Sequence, residues 1–179
     1  MASVLFSNMT LQSVSADFES PATFGIGRSA TQTDIQPWDI DVSPNGDGLP
    51  LGQGTVKEGA IVYANFCASC HGATGIEGPM PNLIGGQGTL NTDHPLKTVG
   101  SYWPFATTVF DYIYRTMPFN APQSLAPQHV YAVVAWILFR NEIIEESTIL
   151  NAQTLPIITM PNHKGFVRDG QPDVSKVHP

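Results

Sequence analysis

Cys67-Ala68-Ser69-Cys70-His71 is the stretch that decides how this sequence is read, and it closes a longer run that begins at Thr55. Thr55 with Glu58 three residues on is a capping box, the signature of a helix N-terminus. Gly59, Val62, Tyr63 and Phe66 then recur at helical spacing and lead into Cys67. In a helix, residues three apart share a face, so the thiols of Cys67 and Cys70 can reach the two vinyl groups of one porphyrin. The next residue, His71, then presents an imidazole to the iron. Two other chemistries use C-x-x-C. A thioredoxin-like redox pair needs a βαβ setting, and no such pattern is visible. A structural zinc site needs four ligands, and the other histidines (His94, His129, His163 and His178) form no paired spacing. The motif therefore predicts one covalently bound haem c, with His71 as an axial ligand.

Two more helices follow. One is expected to begin after Ser101, with Pro104 near its first turn and Ala106, Val109, Phe110 and Ile113 on its inner face. The Met117-Pro118 step should end it, because proline disfavours helix in the residue before it. Another should start near Pro127, where Val130, Val133, Val134, Ile137 and Leu138 fill the apolar template. Tyr131, Trp136 and Phe139 make its other side apolar too, so it should be packed on two sides, one against the first helix and one against a flat cofactor.

The second axial position has three Met-Pro contenders, Met80, Met117 and Met160. Met80 lies nine residues past His71, in a loop expected to stay on the His71 side, and Met160 lies in the C-terminal tail. Met117 sits between two helices, where the chain can cross the opposite haem face, and is the preferred metal ligand with His71. A thioether filling a core gap is the ordinary use of methionine and suits Met80 and Met160 better. His94 and His129 are weaker candidates. A carbonyl in Pro79-Met80-Pro81-Asn82-Leu83-Ile84-Gly85 could accept the other ring N–H of His71. Trp103, Tyr112, Tyr114 and Arg115 are candidates for holding haem propionates.

The flanks differ from this centre. Residues 1–50 read as an N-terminal arm without a clear period, 51–145 as the haem domain, and 146–179 as a C-terminal extension. Val14-Ser15-Ala16 before Asp17 looks like a cleavage site, although residues 1–16 hold no Lys or Arg, so 1–16 is a leader remnant or a flexible start. No strand pattern is strong enough to predict a sheet. The 179 residues carry 15 Asp+Glu against 8 Lys+Arg, a net charge of −7. Nothing there neutralises phosphates, so a nucleic-acid partner is not expected. No apolar run reaches the length of a membrane span. The two cysteines are too close in sequence to frame a fold by disulfides.

Gly59-x-x-x-Tyr63, the C-x-x-C-H, Pro81-Asn82-Leu83-x-Gly85 and a methionine before a C-terminal helix together resemble class I cytochrome c over residues 51–145. The resemblance implies an all-α fold of three main helices around one haem, with long irregular arms. It implies that the Pro81 carbonyl holds the haem histidine, that Leu83 packs on the haem, and that Met117 is the sixth ligand. A longer resemblance runs through Thr33-Asp34-Ile35-Gln36-Pro37-Trp38-Asp39-Ile40-Asp41-Val42, Gly85-Gly86-Gln87-Gly88-Thr89-Leu90, Thr98-Val99-Gly100-Ser101-Tyr102-Trp103-Pro104, Met117-Pro118-Phe119-Asn120-Ala121-Pro122-Gln123-Ser124-Leu125 and Leu155-Pro156-x-x-x-Met160-Pro161-Asn162. These segments resemble the cytochrome subunits of sulfite and sulfur dehydrogenases, the SoxD type. That type implies a periplasmic setting, a molybdenum-cofactor catalytic subunit as partner and a downstream cytochrome acceptor. Larger members carry a second haem domain, whereas one C-x-x-C-H stands here.

The expected function is electron transfer by a subunit that is not itself an enzyme, since two protein ligands leave the iron no open position for substrate. The alternatives are a free periplasmic carrier and a haem enzyme that oxidises thiosulfate at its own iron. Trp38, Ile40, Ile157, Ile158 and Phe166 have no core of their own in the flanks. They are expected to be buried against a permanent partner or wrapped on the chain's own surface.

Overall fold

A computed structural model describes residues 25–167. The expected leader remnant at 1–16 and the end of the C-terminal extension, 168–179, lie outside the described residues.

Three main helices form where the apolar spacing puts them. Helix α2 (Val56–Phe66) opens on Thr55, whose side chain accepts from Glu58 N–H while the Glu58 carboxylate accepts from Thr55 N–H. Two of the four orphan donors of the first turn are thereby satisfied. Helix α4 (Ala106–Thr116) buries Ala106, Val109 and Phe110, with Ile113 packed at the edge of the core. It begins later than expected, because residues 99–102 form a turn pinned by the side chains of Thr98 and Ser101. Met117 is its C-cap, in extended backbone, as the proline after it requires.

Helix α5 (Pro127–Arg140) is the centre of the molecule, and every residue from Val130 to Leu138 is buried. At about 2 kcal/mol for each fully buried large aliphatic side chain, this helix contributes the largest single share of the hydrophobic stabilisation. Helix α2 lies along one side of it. Where the two cross, a Cβ on Gly59 would stand 1.9 Å from the Ala132 carbonyl oxygen. Only glycine permits that approach. Tyr63 stacks on Trp136 beside the crossing, with ring centroids 3.9 Å apart.

Several details depart from expectation. Phe66 shares a face with Gly59 by spacing, yet it is 47% exposed, because at the last turn of α2 it lies past the crossing with α5. A small sheet exists where none was foreseen: β1 (Gln53–Thr55) pairs antiparallel with β2 (Ile149–Asn151). Three-residue strands are too short to show an alternation. The core also draws on residues past 145, since Leu150, Leu155 and Met160 are fully buried in it. Asn162 Nδ2 continues this wrapping by donating to the Tyr102 carbonyl at 2.7 Å.

The N-terminal arm behaves as two pieces. Val42 is buried, and the Tyr131 hydroxyl donates to Pro50 O at 2.9 Å, so the stretch next to the domain lies on its surface. The preceding piece carries the short helix α1 (Gln32–Ile35), capped by Thr31 and braced by an Arg28–Asp34 ion pair, with no buried residue. There Trp38 stands 83% exposed.

Candidate functional site

The C-x-x-C-H occupies a single helical turn. Cys67 caps α2, and Ala68–His71 form α3, with Cys70 N–H and His71 N–H both donating to Cys67 O. Cys67, Cys70 and His71 therefore stand at i, i+3 and i+4 on one face. The Tyr63 hydroxyl donates to Gly72 O at 2.8 Å and ties the end of the turn to the Tyr63–Trp136 stack and so to α5.

The chain then doubles back under the motif. Glu77 accepts from Thr74 N–H, Met80 N–H donates to Cys70 O at 3.0 Å, and Leu83 N–H donates to Gly75 O at 2.9 Å. Gly78 is required at the return, since a Cβ there would stand 2.0 Å from Cys70 O. The fold-back brings Pro81 O to 3.0 Å from His71 Nδ1. A carbonyl can only accept, so Nδ1 carries the proton of the contact and Nε2 is the nitrogen left to face a metal. The carbonyl expected to hold the imidazole is thus in hydrogen-bond contact with it.

Cys67 and Cys70 are not joined to each other by a disulfide. Burial, with Cys70 as the lesser cause, pushes the Cys67 thiol up to about 11. A reactive dithiol needs the opposite shift. Among the described residues no three of His, Cys, Asp and Glu are grouped as a metal cage. Two thiols and one oriented imidazole on one helical face fit the attachment of a haem.

The other predicted residues separate clearly. Of the three Met-Pro steps, Met160 is 1% exposed and sits in the core formed with the C-terminal segment. Met80 is 50% exposed, on the loop bonded to the motif's own backbone. Met117 is half-buried at the end of α4. Leu83 is half-buried against the core, and Trp103 makes an edge contact with Tyr112. Tyr114 leans on Phe110. Arg115, expected at a propionate, has Nε and Nη2 engaged by Asp111, which leaves its Nη1 hydrogens and the second Nη2 hydrogen for another anion. His94 and His129 are exposed.

One supporting residue escaped the sequence. Asn141, buried at the C-cap of α5, donates to Leu83 O at 3.1 Å and accepts from Gly85 N–H at 2.9 Å, while Gln87 donates to its carbonyl. It fixes the loop that carries Pro81 and Leu83 to the central helix. Nothing in a lone Asn after Arg140 signals that role.

Against known proteins, the family model described as cytochrome c oxidase, cbb3-type, subunit III matches residues 54–137. The crystal structure of the sulfane dehydrogenase SoxCD from Paracoccus pantotrophus superposes with a TM-score of 0.76, at 38% sequence identity, over 88% of this chain and 80% of that one. No curated protein matches.

Proposed function

The chain belongs to the cytochrome c family, with the SoxD-type subunits of sulfite and sulfur dehydrogenases, and from that premise we propose that it is the electron-transfer subunit of a periplasmic complex whose molybdenum-cofactor subunit oxidises a sulfur compound. The protein is an electron-transfer cytochrome carrying haem c. Haem c supplies a one-electron change between ferric and ferrous iron. The reading of this chain's own residues rests on one observation, the helical turn that presents Cys67, Cys70 and an Nδ1-anchored His71 together.

On this reading the fold is class I, with the haem domain over 51–145 and extensions on either side. Cys67 and Cys70 form the thioether links. His71 binds through Nε2, kept in one tautomer by Pro81 O. Met117 would supply the second protein ligand to the iron, and its soft sulfur would favour the ferrous state and raise the potential. Leu83 and Trp103 exclude water, and Arg115 with Trp103 meets the propionates.

The exposed Trp38 and Ile35, on a capped and braced arm, support docking to a catalytic subunit. The acceptor downstream would be another cytochrome. A free periplasmic carrier is the second reading, favoured by the burial of Leu150, Leu155 and Met160 in the chain's own core.

The holoprotein tests the site. Met117→Ala should remove the red charge-transfer band and lower the potential, while Met80→Ala and Met160→Ala keep both; loss of the band in either of those moves the ligand. Cys67→Ala with Cys70→Ala should abolish acid-stable haem. Purification from the native host with a molybdenum assay decides the partner: a molybdenum-free monomer leaves the free carrier.

A further inference from the structure

Helix α4 carries a polar stripe where a core helix needs none. Thr107, Asp111 and Arg115 are four residues apart, so they lie along one face. Thr107 and Asp111 are buried, Asp111 with 8% exposure. Thr107 Oγ1 donates to Pro44 O at 2.9 Å. Asp111 Oδ1 accepts from Val42 N–H at 2.8 Å across 69 residues of chain, and from Arg115 Nε at 2.8 Å. Asp111 Oδ2 takes Arg115 Nη2.

A buried carboxylate is expensive unless cation and donors surround it. Packing alone would be served by an apolar residue at 111. The stripe instead binds two things. At one end it holds the N-terminal arm at Val42 and Pro44. At the other it reaches Arg115, two residues before the helix ends at Met117.

We propose that Asp111 is a positioning residue for Met117: the Thr107–Asp111–Arg115 stripe seats the N-terminal arm on α4 and fixes the last turn of the helix that delivers the Met117 thioether. This rests on Met117 being the axial ligand. The seat of the arm and the hold of the sixth ligand are then set by the same carboxylate. Four residues upstream of Val42 stands the exposed Trp38. A partner that gripped Trp38 would act on the segment that Asp111 holds, and through helix α4 on the methionine.

The test is titration of the oxidised holoprotein with imidazole, which displaces a weakly held methionine, followed at the red charge-transfer band. Asp111→Ala should lower the half-displacing imidazole concentration about tenfold or more, the usual scale for outer support of a ligand. It should also speed hydrogen exchange at the Val42 amide. Asp111→Asn keeps an acceptor for Val42 but loses the charge facing Arg115, and should fall between. Thr107→Val loosens the arm alone and should move the titration the same way by less. If Asp111→Ala does not fold, the last two variants carry the test. Wild-type imidazole affinity in every folded variant, whatever the unfolding midpoint, means Asp111 is merely structural and overturns the proposal. A Met117→Ala protein that keeps the band instead shows that the ligand assignment itself has failed.

Discussion

Gly59→Ala puts the helix crossing to a quantitative test. Helix propensity alone predicts a gain of about 1 kcal/mol, because alanine is the better helix former. The structure opposes it. The new Cβ would lie 1.9 Å from Ala132 O, 2.6 Å from Ala132 C and 2.8 Å from Trp136 Cβ. Two of those atoms are backbone in the middle of α5, so no rotamer change relieves the contact. Ordinary contact begins near 3.4 Å, so the helices must part by about 1.5 Å. That movement disturbs the Tyr63–Trp136 stack and the packing of Val62 on α5. Overpacking of a core costs about 1–3 kcal/mol, and more where backbone must shift. A net loss of about 2–3 kcal/mol is expected, a fall in Tm of roughly 5–10 °C for a chain of this size. Thermal unfolding of the holoprotein by far-ultraviolet circular dichroism reads it. Ala64→Gly, at an exposed position of the same helix, should cost only the propensity of about 1 kcal/mol. A Gly59→Ala protein as stable as wild type would refute the close crossing.

Two further outcomes are expected. Leu155→Ala should cost about 2–5 kcal/mol, as for any fully buried leucine, while the exposed Ile157→Ala stays within about 0.5 kcal/mol; equal effects would mean that the C-terminal segment does not belong to the core. Burial opposes the charge on Asp111, but the bonds from Arg115 and Val42 outweigh it and hold the carboxyl below its ordinary value. A depressed carboxyl contributes stability above its unfolded value of about 3.9 and loses it as pH falls through the folded one. The stability gap between wild type and Asp111→Asn, measured by denaturant midpoints, should therefore be widest near pH 6 and narrow progressively as pH falls below about 4. A gap unchanged at pH 3 would contradict this.

The main helices were legible because each signal is local. Thr55 and Glu58 announce a start, proline after Met117 announces a stop, and the period of α5 is nearly unbroken. The motif turn was legible for the same reason, as was the Pro81 carbonyl once the family pattern was seen. What was hidden is long-range. The β1–β2 pairing, the Val42–Asp111 bond and the grip of Asn141 on Leu83 and Gly85 each join residues more than 50 apart in sequence. Single-residue identity carries no mark of such partners. The C-terminal segment looked aperiodic because it is buried at isolated points, Leu150, Leu155 and Met160, rather than along a face.

The pairing of β1 with β2 has a consequence for the order of events during maturation. Its partners lie 98 residues apart (Gln53 to Asn151), whereas His71 and Pro81 are separated by 10. Loop-closure entropy scales as (3/2)RT ln n, so the distant pairing costs about 2 kcal/mol more to bring together. The sheet cannot form until Ile149–Asn151 have been translated and delivered, while the His71–Pro81 contact closes over ten residues and is braced afterwards by Asn141 from α5. A nascent chain can thus bring His71 and Pro81 together before its core has closed. The β1–β2 pairing, with its larger closure cost, then forms late.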